Sequence, residues 1–361
     1  MTPTALTIHP LPFDPLFEQI PDDEADTTRE LIDALNHIQD ITSHDYAHAV
    51  RSVHAKSHGL LEGELTVAAD LPPELAHGVF ARKGGTYPVT LRLSTNPGDV
   101  LDDAVSTPRG LALKIAQVDG ARLPGSEAHA TQDFVMVNAP AFSAPTPKAF
   151  VRSLKMLSKT TDRAPGGKKA LSAVMRGAER VIEAVGGSSA TLTNLGGHPA
   201  THILGETFYT CAPCLYGPYF AKLAVVPVSP ELVALKDAPI DLRGRPDALR
   251  EEVVAFFARH GGEWELRVQL ATDIETMPVE DASVAWPEDV SPYVTVATIR
   301  VAPQPAWTDA RSTAIDDGMS FSPWHGLAAH RPLGGVMRVR RAAYETSAAY
   351  RGTFNGCPVH G

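Results

Sequence analysis

Residues 86–94 read Thr-Tyr-Pro-Val-Thr-Leu-Arg-Leu-Ser, a run in which apolar and polar side chains alternate. Successive side chains of a β-strand point to opposite faces of the sheet. The two sets are Val89, Leu91 and Leu93 on one face and Thr90, Arg92 and Ser94 on the other. A covered arginine needs an anion and a covered hydroxyl needs an acceptor. The stretch therefore predicts a strand with an apolar core side and a second side that is either solvated or lined with functional groups.

Similar runs, broken by Gly, Pro and Asp, recur from about residue 60 to residue 303. They predict eight strands, at 61–69, 87–94, 110–117, 133–138, 202–210, 219–227, 263–271 and 293–301. Eight strands of this kind suit a closed antiparallel barrel, because closure removes exposed sheet edges. The expected fold class is α+β, a closed antiparallel eight-stranded β-barrel with flanking helices and a barrel interior filled by side chains.

Helical patterns lie outside these strands. The sequence predicts a helix at about 26–41, two helices within 147–185, a short helix at 247–259 and a last helix that begins near Gly334. No internal repeat or low-complexity tract is evident. We expect an N-terminal arm and helix over residues 1–47 and one domain over residues 48–361.

Composition limits the classes of partner. The chain has 361 residues, of which 43% are hydrophobic and 20% charged, and its net charge is −10. This charge disfavours nucleic acid and anionic membranes as partners, so we expect small molecules instead. No signal-peptide pattern and no long apolar run is present, and three cysteines cannot form a disulfide framework. We therefore expect a cytoplasmic protein.

The run Arg340-Arg341-Ala342-Ala343-Tyr344, followed by Arg351, places a phenol between two guanidiniums on one stripe of a helix. An arginine one turn away can hydrogen-bond a phenolate and favour its ionised form. Such a tyrosinate is a hard anionic ligand for ferric iron, as in catalase-type haem proteins. The alternative is an ordinary surface helix in which Arg341 and Glu345 form an exposed pair.

Several segments, in the same order, resemble the haem catalase family, and in particular its small catalase-related branch. They are Arg51-Ser52-Val53-His54-Ala55-Lys56, the run from Thr86 to Ser94, Pro108-Arg109-Gly110-Leu111-Ala112-Leu113-Lys114, the run from Asp133 to Pro140, and the block from Arg340 to Arg351. The resemblance spans roughly residues 50–351. It implies haem b as the cofactor and hydrogen peroxide or an organic hydroperoxide as the substrate, with a small organic reductant. Members of the family commonly form dimers or tetramers, so a homodimer is one expected assembly.

The resemblance also implies a role for each site residue. His54 would move the peroxide proton, Ser94 would hold its far ring nitrogen, and Asn138 would donate to the distal oxygen. Tyr344 would bind the iron, with Arg340 beside it. The remaining haem-binding residues would be Val53 and three partners of the propionates, Arg51, Arg92 and Arg351.

Some positions depart from the family pattern. Ser57 stands where a glycine is expected, and Ala141 and Ser143 stand where aromatic residues are expected, although Phe142 could supply one of them. Because only ten residues follow Arg351, we expect no C-terminal flavodoxin-like or helical NADPH domain. These changes predict a wider distal pocket and a peroxidase with weak or no catalase activity.

Three other functions stay open from the sequence. The first is a hydroperoxide isomerase resembling allene oxide synthases, although Val53 before the histidine is typical of true catalases. The second is a haem-binding protein without enzymatic activity. The third is a zinc site built from Cys211, Cys214, Cys357 and His360, for which idle or buried thiols are the simpler interpretation. Asn138 could also be a plain strand terminator before Ala-Pro.

Overall fold

The computed structural model describes residues 9–161 and 198–361. Within these ranges the chain forms nine strands: β1 (Ser57–Val67), β2 (Thr86–Thr95), β3 (Arg109–Ala116), β4 (Thr131–Val137), β5 (Phe208–Tyr209), β6 (Cys214–Tyr216), β7 (Tyr219–Pro227), β8 (Gly262–Leu270) and β9 (Val294–Val301). All the pairings are antiparallel. Every run predicted as a strand therefore contains one.

The sheet closes on itself through its shortest strand. β5 pairs with β4 on one side and with β7 on the other, and β1 joins β9. Eight strands, β1 to β5 and β7 to β9, thus form a ring, while β6 is a short addition to β7. The predicted closed antiparallel barrel is confirmed.

The barrel interior is a packed core of apolar side chains. From β2 it receives Val89, Leu91 and Leu93, as the alternation predicts, and neighbouring strands contribute in the same way. The other face of β2, which carries Arg92 and Ser94, points outward but is still buried. The outer face of this part of the barrel is therefore covered, which excludes the solvated alternative.

The helices within the described ranges are α1 (Glu24–Tyr46), α2 (Pro147–Thr161), α3 (Pro230–Val233), α4 (Ala248–Phe257), α5 (Asp309–Arg311) and α6 (Gly335–Asn355). Short 3₁₀ turns occur at Pro15–Phe17, Pro73–Leu75, Gly78–Phe80, Ile203–Gly205 and Ala328–His330, and a π-helical turn spans Ser312–Asp317. No helix among the described residues combines the length and apolarity that a bilayer crossing needs.

Three of the helices pack together beside the barrel. Leu31 and Ile38 of α1, Val151 of α2, and Val339 and Ala343 of α6 form one apolar cluster. The N-terminal helix α1 therefore packs against α6, the helix that carries Tyr344. Helix α1 is also longer than the predicted helix at 26–41.

The structure differs from the predicted strand 202–210 and describes only the first of the two helices predicted within 147–185. The predicted strand 202–210 is wrong over most of its length, because Ile203–Gly205 forms a 3₁₀ turn and only Phe208–Tyr209 pairs. The first helix predicted within 147–185 is α2, whereas the second falls at residues outside the described ranges.

Candidate active site

The outer face of β2, β3 and β4 forms one wall of the candidate site. Cross-strand pairing aligns Ser94 with Gly110 and Gly110 with Val137 in one row. A second row consists of Arg92, Ala112 and Val135. Ala112, Val135 and Val137 are only partly buried. The wall thus presents small apolar side chains flanked by a buried hydroxyl and a buried guanidinium.

His54 lies against this wall, and hydrogen bonds fix its backbone. Its Nδ1 lies 3.1 Å from the Oγ of Ser94. Its φ of 55° lies in the left-handed region, which costs a residue other than glycine roughly 1–2 kcal/mol. The His54 N–H donates to the Asn96 carbonyl at 2.8 Å, and Arg92 donates to the His54 carbonyl at 2.9 Å. These bonds fix the direction of the imidazole.

The imidazole packs against a glycine. A Cβ at Gly110 would lie 2.5 Å from the Cε1 of His54, closer than any real contact allows. Only glycine at this position of β3 lets the ring approach the strand and reach Ser94. Gly110 therefore serves the site by leaving space for the histidine.

The surroundings keep His54 neutral. His54 as a whole is partly exposed, yet loss of hydration and the nearby charges of Arg92, Arg340 and Arg51 lower its pKa to about 3. A neutral imidazole whose Nδ1 is engaged with Ser94 leaves Nε2 as a free base. Such a group can accept a proton throughout the physiological pH range.

Three arginines that are distant in sequence meet beside His54, and all bind the same turn. Arg92 donates to Oδ1 of Asp316 at 2.7 Å. Arg51 and Arg351 donate to the main-chain oxygen of Asp316 at 2.7 and 2.6 Å. Arg51 also donates to the carbonyl of Met319 at 2.7 Å. The π-helical turn Ser312–Asp317 therefore gathers these residues into a three-arginine cluster.

Asp316 is the anion of the three-arginine cluster. Its Oδ2 accepts from Ser57 at 2.7 Å and from Ser312 at 2.9 Å. Burial alone would raise the pKa of Asp316, but Arg92, Arg51 and the Ser57 hydroxyl outweigh that effect and lower it. The carboxylate is therefore ionised at neutral pH and compensates part of the positive charge.

The three-arginine cluster still has unused donors. Arg351 is buried, and its Nε has no hydrogen-bond acceptor among the described residues. Burial first, and then the charge of Arg92, lowers the pKa of Arg351 to about 10. Burial together with Arg92 and Arg351 likewise lowers the pKa of Arg51. Three guanidiniums around one bonded carboxylate leave room for further negative charge.

Tyr344 lies on α6 with Arg340 one turn before it. Nη2 of Arg340 donates to the phenol oxygen at 2.6 Å, the contact that the helical spacing predicts. Arg351, the second guanidinium predicted on this stripe, donates to the main-chain oxygen of Asp316. Arg341 forms the expected surface pair with Glu345 at 3.3 Å.

The segment that carries His54 contacts the helix that carries Tyr344. Val53 packs against the cluster that includes Val339 and Ala343. Oγ of Ser52 donates to Oγ of Ser347 at 3.1 Å. Arg340 is also close enough to lower the pKa of His54. The histidine and the tyrosine therefore border one region.

Asn138 ends β4, and both ends of its side-chain amide are engaged. Its Oδ1 accepts from the main-chain N–H of Arg109 at 3.0 Å, and its Nδ2 donates to Glu206 at 2.8 Å. Within the described residues no bond joins Asn138 to His54. The amide nitrogen has a second hydrogen, which these bonds do not use.

Two residues from the stretch where aromatic side chains were expected, Phe142 and Ser143, differ in their surroundings. Phe142 packs edge-on against Phe150 of α2 and lies 5.9 Å from the Arg340 guanidinium, while Ser143 is exposed.

Cys211 and Cys214 are buried, and burial raises the pKa of each thiol to about 12. No group of three metal-ligating side chains occurs in residues 9–161 or 198–361, so these residues offer no zinc site.

The sequence did not identify two residues of this region, Asp316 and Glu206. Asp316 lies in an irregular stretch with no periodicity, and its only signal was the need of three arginines for an anion. Glu206 follows a short turn in a run predicted as a strand. Both positions depend on tertiary contacts, so local pattern could not identify them.

The residues fit a flat, largely apolar ligand that carries carboxylates. The unsatisfied Nε of Arg351 and the excess positive charge call for an anion, while Ala112, Val135 and Val137 offer an apolar wall. The phenol of Tyr344 has an oxygen of the kind that ferric iron takes as a ligand. Haem combines these features, so the chemistry of the donor set suits it.

Comparison with solved structures shows the same fold in catalases. A fungal catalase matches with a TM-score of 0.61 and 19% identity over 86% of this chain and 61% of that one. Catalase A from Saccharomyces cerevisiae matches with a TM-score of 0.59 and 17% identity over 88% and 64%. A bacterial catalase matches with a TM-score of 0.60 and 16% identity over 96% and 64%.

The chain thus has the catalase fold and spans about three-fifths of the length of these catalases. At such identities the likeness establishes the architecture alone. No protein-family model matches the sequence, and no curated protein matches it.

Proposed function

We propose that this chain is a haem-dependent peroxidase that consumes hydrogen peroxide or organic hydroperoxides, with weak or no catalase activity. The observation that carries the proposal is that three sequence-distant arginines meet at Asp316 beside His54, which contacts Ser94, while Arg340 bonds Tyr344 on the helix that the His54 segment contacts. The catalase fold of the chain supports it, since the first solved structures it matches are catalases.

Each part of the site has a distinct task in this proposal. The Tyr344 phenolate would bind the iron of haem b, and Arg340 would stabilise the ionised phenol. The three-arginine cluster would bind the propionates. Bound ferric haem supplies the centre at which the oxygen–oxygen bond of a peroxide is cleaved and oxidising equivalents are held for a reductant.

The protein moves the proton. In the tautomer with its proton on Nδ1, His54 donates to Ser94, and its Nε2 can take the proton from the peroxide oxygen and return it to the leaving oxygen. Loss of hydration, together with three nearby arginines, lowers the pKa of His54 and keeps the ring neutral before each turnover. The unused N–H of Asn138 would donate to the oxygen on which negative charge develops.

Peroxidase rather than catalase turnover is favoured by the side chains beside the wall. Ser143 is exposed, and Phe142 packs against Phe150 of α2. A less insulated pocket admits organic reductants and bulky hydroperoxides.

The visible spectrum of the purified, haem-loaded protein tests the proposal. We expect a high-spin ferric Soret band that imidazole does not change and that peroxide does. His54→Ala should keep haem and lose about 10²- to 10⁴-fold in its rate with peroxide. A colourless protein, full activity of His54→Ala, or oxygen release at the rate of ordinary catalases would each contradict it.

A further inference from the structure

The carboxylate of Glu206 lies beside the amide of Asn138. Nδ2 of Asn138 donates to Oε2 of Glu206 at 2.8 Å, and the guanidinium of Arg109 bonds the other oxygen of that carboxylate. The main-chain N–H of Arg109 donates to Oδ1 of Asn138 at 3.0 Å. Each polar atom of the amide therefore faces a partner that suits only one orientation.

This arrangement excludes a flipped amide. A 180° rotation would turn the NH2 of Asn138 toward the N–H of Arg109, which is also a donor, and the C=O toward the carboxylate of Glu206. Both hydrogen bonds would become repulsive contacts. In the observed orientation one N–H binds Glu206 and the other is left for a ligand.

Glu206 is itself firmly placed. Its partner Arg109 is buried and is held by the Pro199 carbonyl at 3.0 Å. The preceding residue, Gly205, packs so closely that a Cβ there would lie 2.3 Å from the carbonyl oxygen of Leu235. The backbone next to Glu206 is therefore fixed by packing, and Arg109 and Asn138 hold the carboxylate.

We propose that Glu206 is a positioning residue that fixes the Asn138 amide so that its second N–H is presented to the peroxide. This inference rests on the proposed function, because it gives Asn138 the role of distal donor. Glu206 acts only through Asn138 and Arg109. Its removal should therefore weaken donation to a bound ligand without removing haem.

The carbon monoxide complex of the reduced haem protein provides a readout other than activity, because a hydrogen bond to the bound oxygen lowers the C–O stretching frequency. We expect Asn138→Ala to raise this frequency and Glu206→Gln to raise it toward the same value. The rate with peroxide should fall about 5- to 30-fold in Glu206→Gln, the factor expected for one lost hydrogen bond.

Glu263→Gln is the matched control, because Glu263 pairs with Arg300 on β8 and β9 and should leave both readouts unchanged. If Glu206→Gln does not fold, Glu206→Asp tests the same point, since it keeps the charge but withdraws the acceptor. A Glu206 variant with the parental frequency, alongside a shifted Asn138→Ala, overturns this inference and leaves the proposed function intact. A parent that binds no haem overturns the proposed function itself.

Discussion

Replacing Asp316 by asparagine tests whether one carboxylate holds the three-arginine cluster together. The side chain is 15% exposed and bonds Arg92, Ser57 and Ser312 at 2.7–2.9 Å. Removing one partner of a buried ion pair costs about 3–5 kcal/mol, because the remaining charge stays buried. We expect Asp316→Asn to lower the free energy of unfolding of the haem-free protein by that amount at pH 7.

Urea unfolding of the haem-free protein measures this loss. Glu345→Gln is the control for the same chemical change, since Glu345 is exposed and its pair with Arg341 is worth less than about 1 kcal/mol. Because the pKa of Asp316 is lowered by folding, its contribution is present above about pH 4 and is lost as the pH falls through the folded-state value. The difference between parent and variant should therefore narrow in acid.

Haem addition extends the test. If propionates supply the missing negative charge, haemin should restore more stability to Asp316→Asn than to the parent. An unfolding free energy of Asp316→Asn within about 1 kcal/mol of the parent at pH 7 would refute the assignment of Asp316 as the anion of the three-arginine cluster.

Three shorter predictions concern the proposed haem site. Tyr344→Phe removes the oxygen that Arg340 bonds and should abolish stable haem binding, measured by Soret titration, while circular dichroism of the haem-free protein stays unchanged. Ser94→Ala leaves His54 Nδ1 without its partner and should slow the reaction with peroxide by about 5- to 30-fold, a smaller loss than in His54→Ala. Because the pKa of His54 is lowered to about 3, stopped-flow rates with peroxide should be flat from about pH 5 to pH 8; a base titrating between pH 6 and 7 would contradict this.

The barrel was predictable because its signal is local. Alternation in β2 predicts Leu91 and Leu93 on the core face and Arg92 and Ser94 on the opposite face, and the structure confirms this division. The helical spacing of Arg340 and Tyr344 likewise predicts their contact. In each case the two residues in contact are a few positions apart in sequence or lie opposite each other on paired strands.

The rest of the site depends on contacts that no local pattern encodes. Arg51 and Arg351 meet only because the irregular turn at Asp316 offers several carbonyl oxygens to both. The amide of Asn138 faces Glu206 because β4 and the segment before β5 come together when the barrel closes. Predicting these contacts requires the closed barrel.

Closure of the barrel also has a consequence during synthesis. β1 pairs with β9, as in Glu64 with Arg300, so the free edge of β1 has no native neighbour until the ribosome has released the ninth strand. At the usual pace of translation this wait lasts on the order of ten to fifty seconds. An unpaired strand edge invites association with other nascent chains. We expect the emerging protein to need a chaperone, and yields to improve when the chain concentration is kept low.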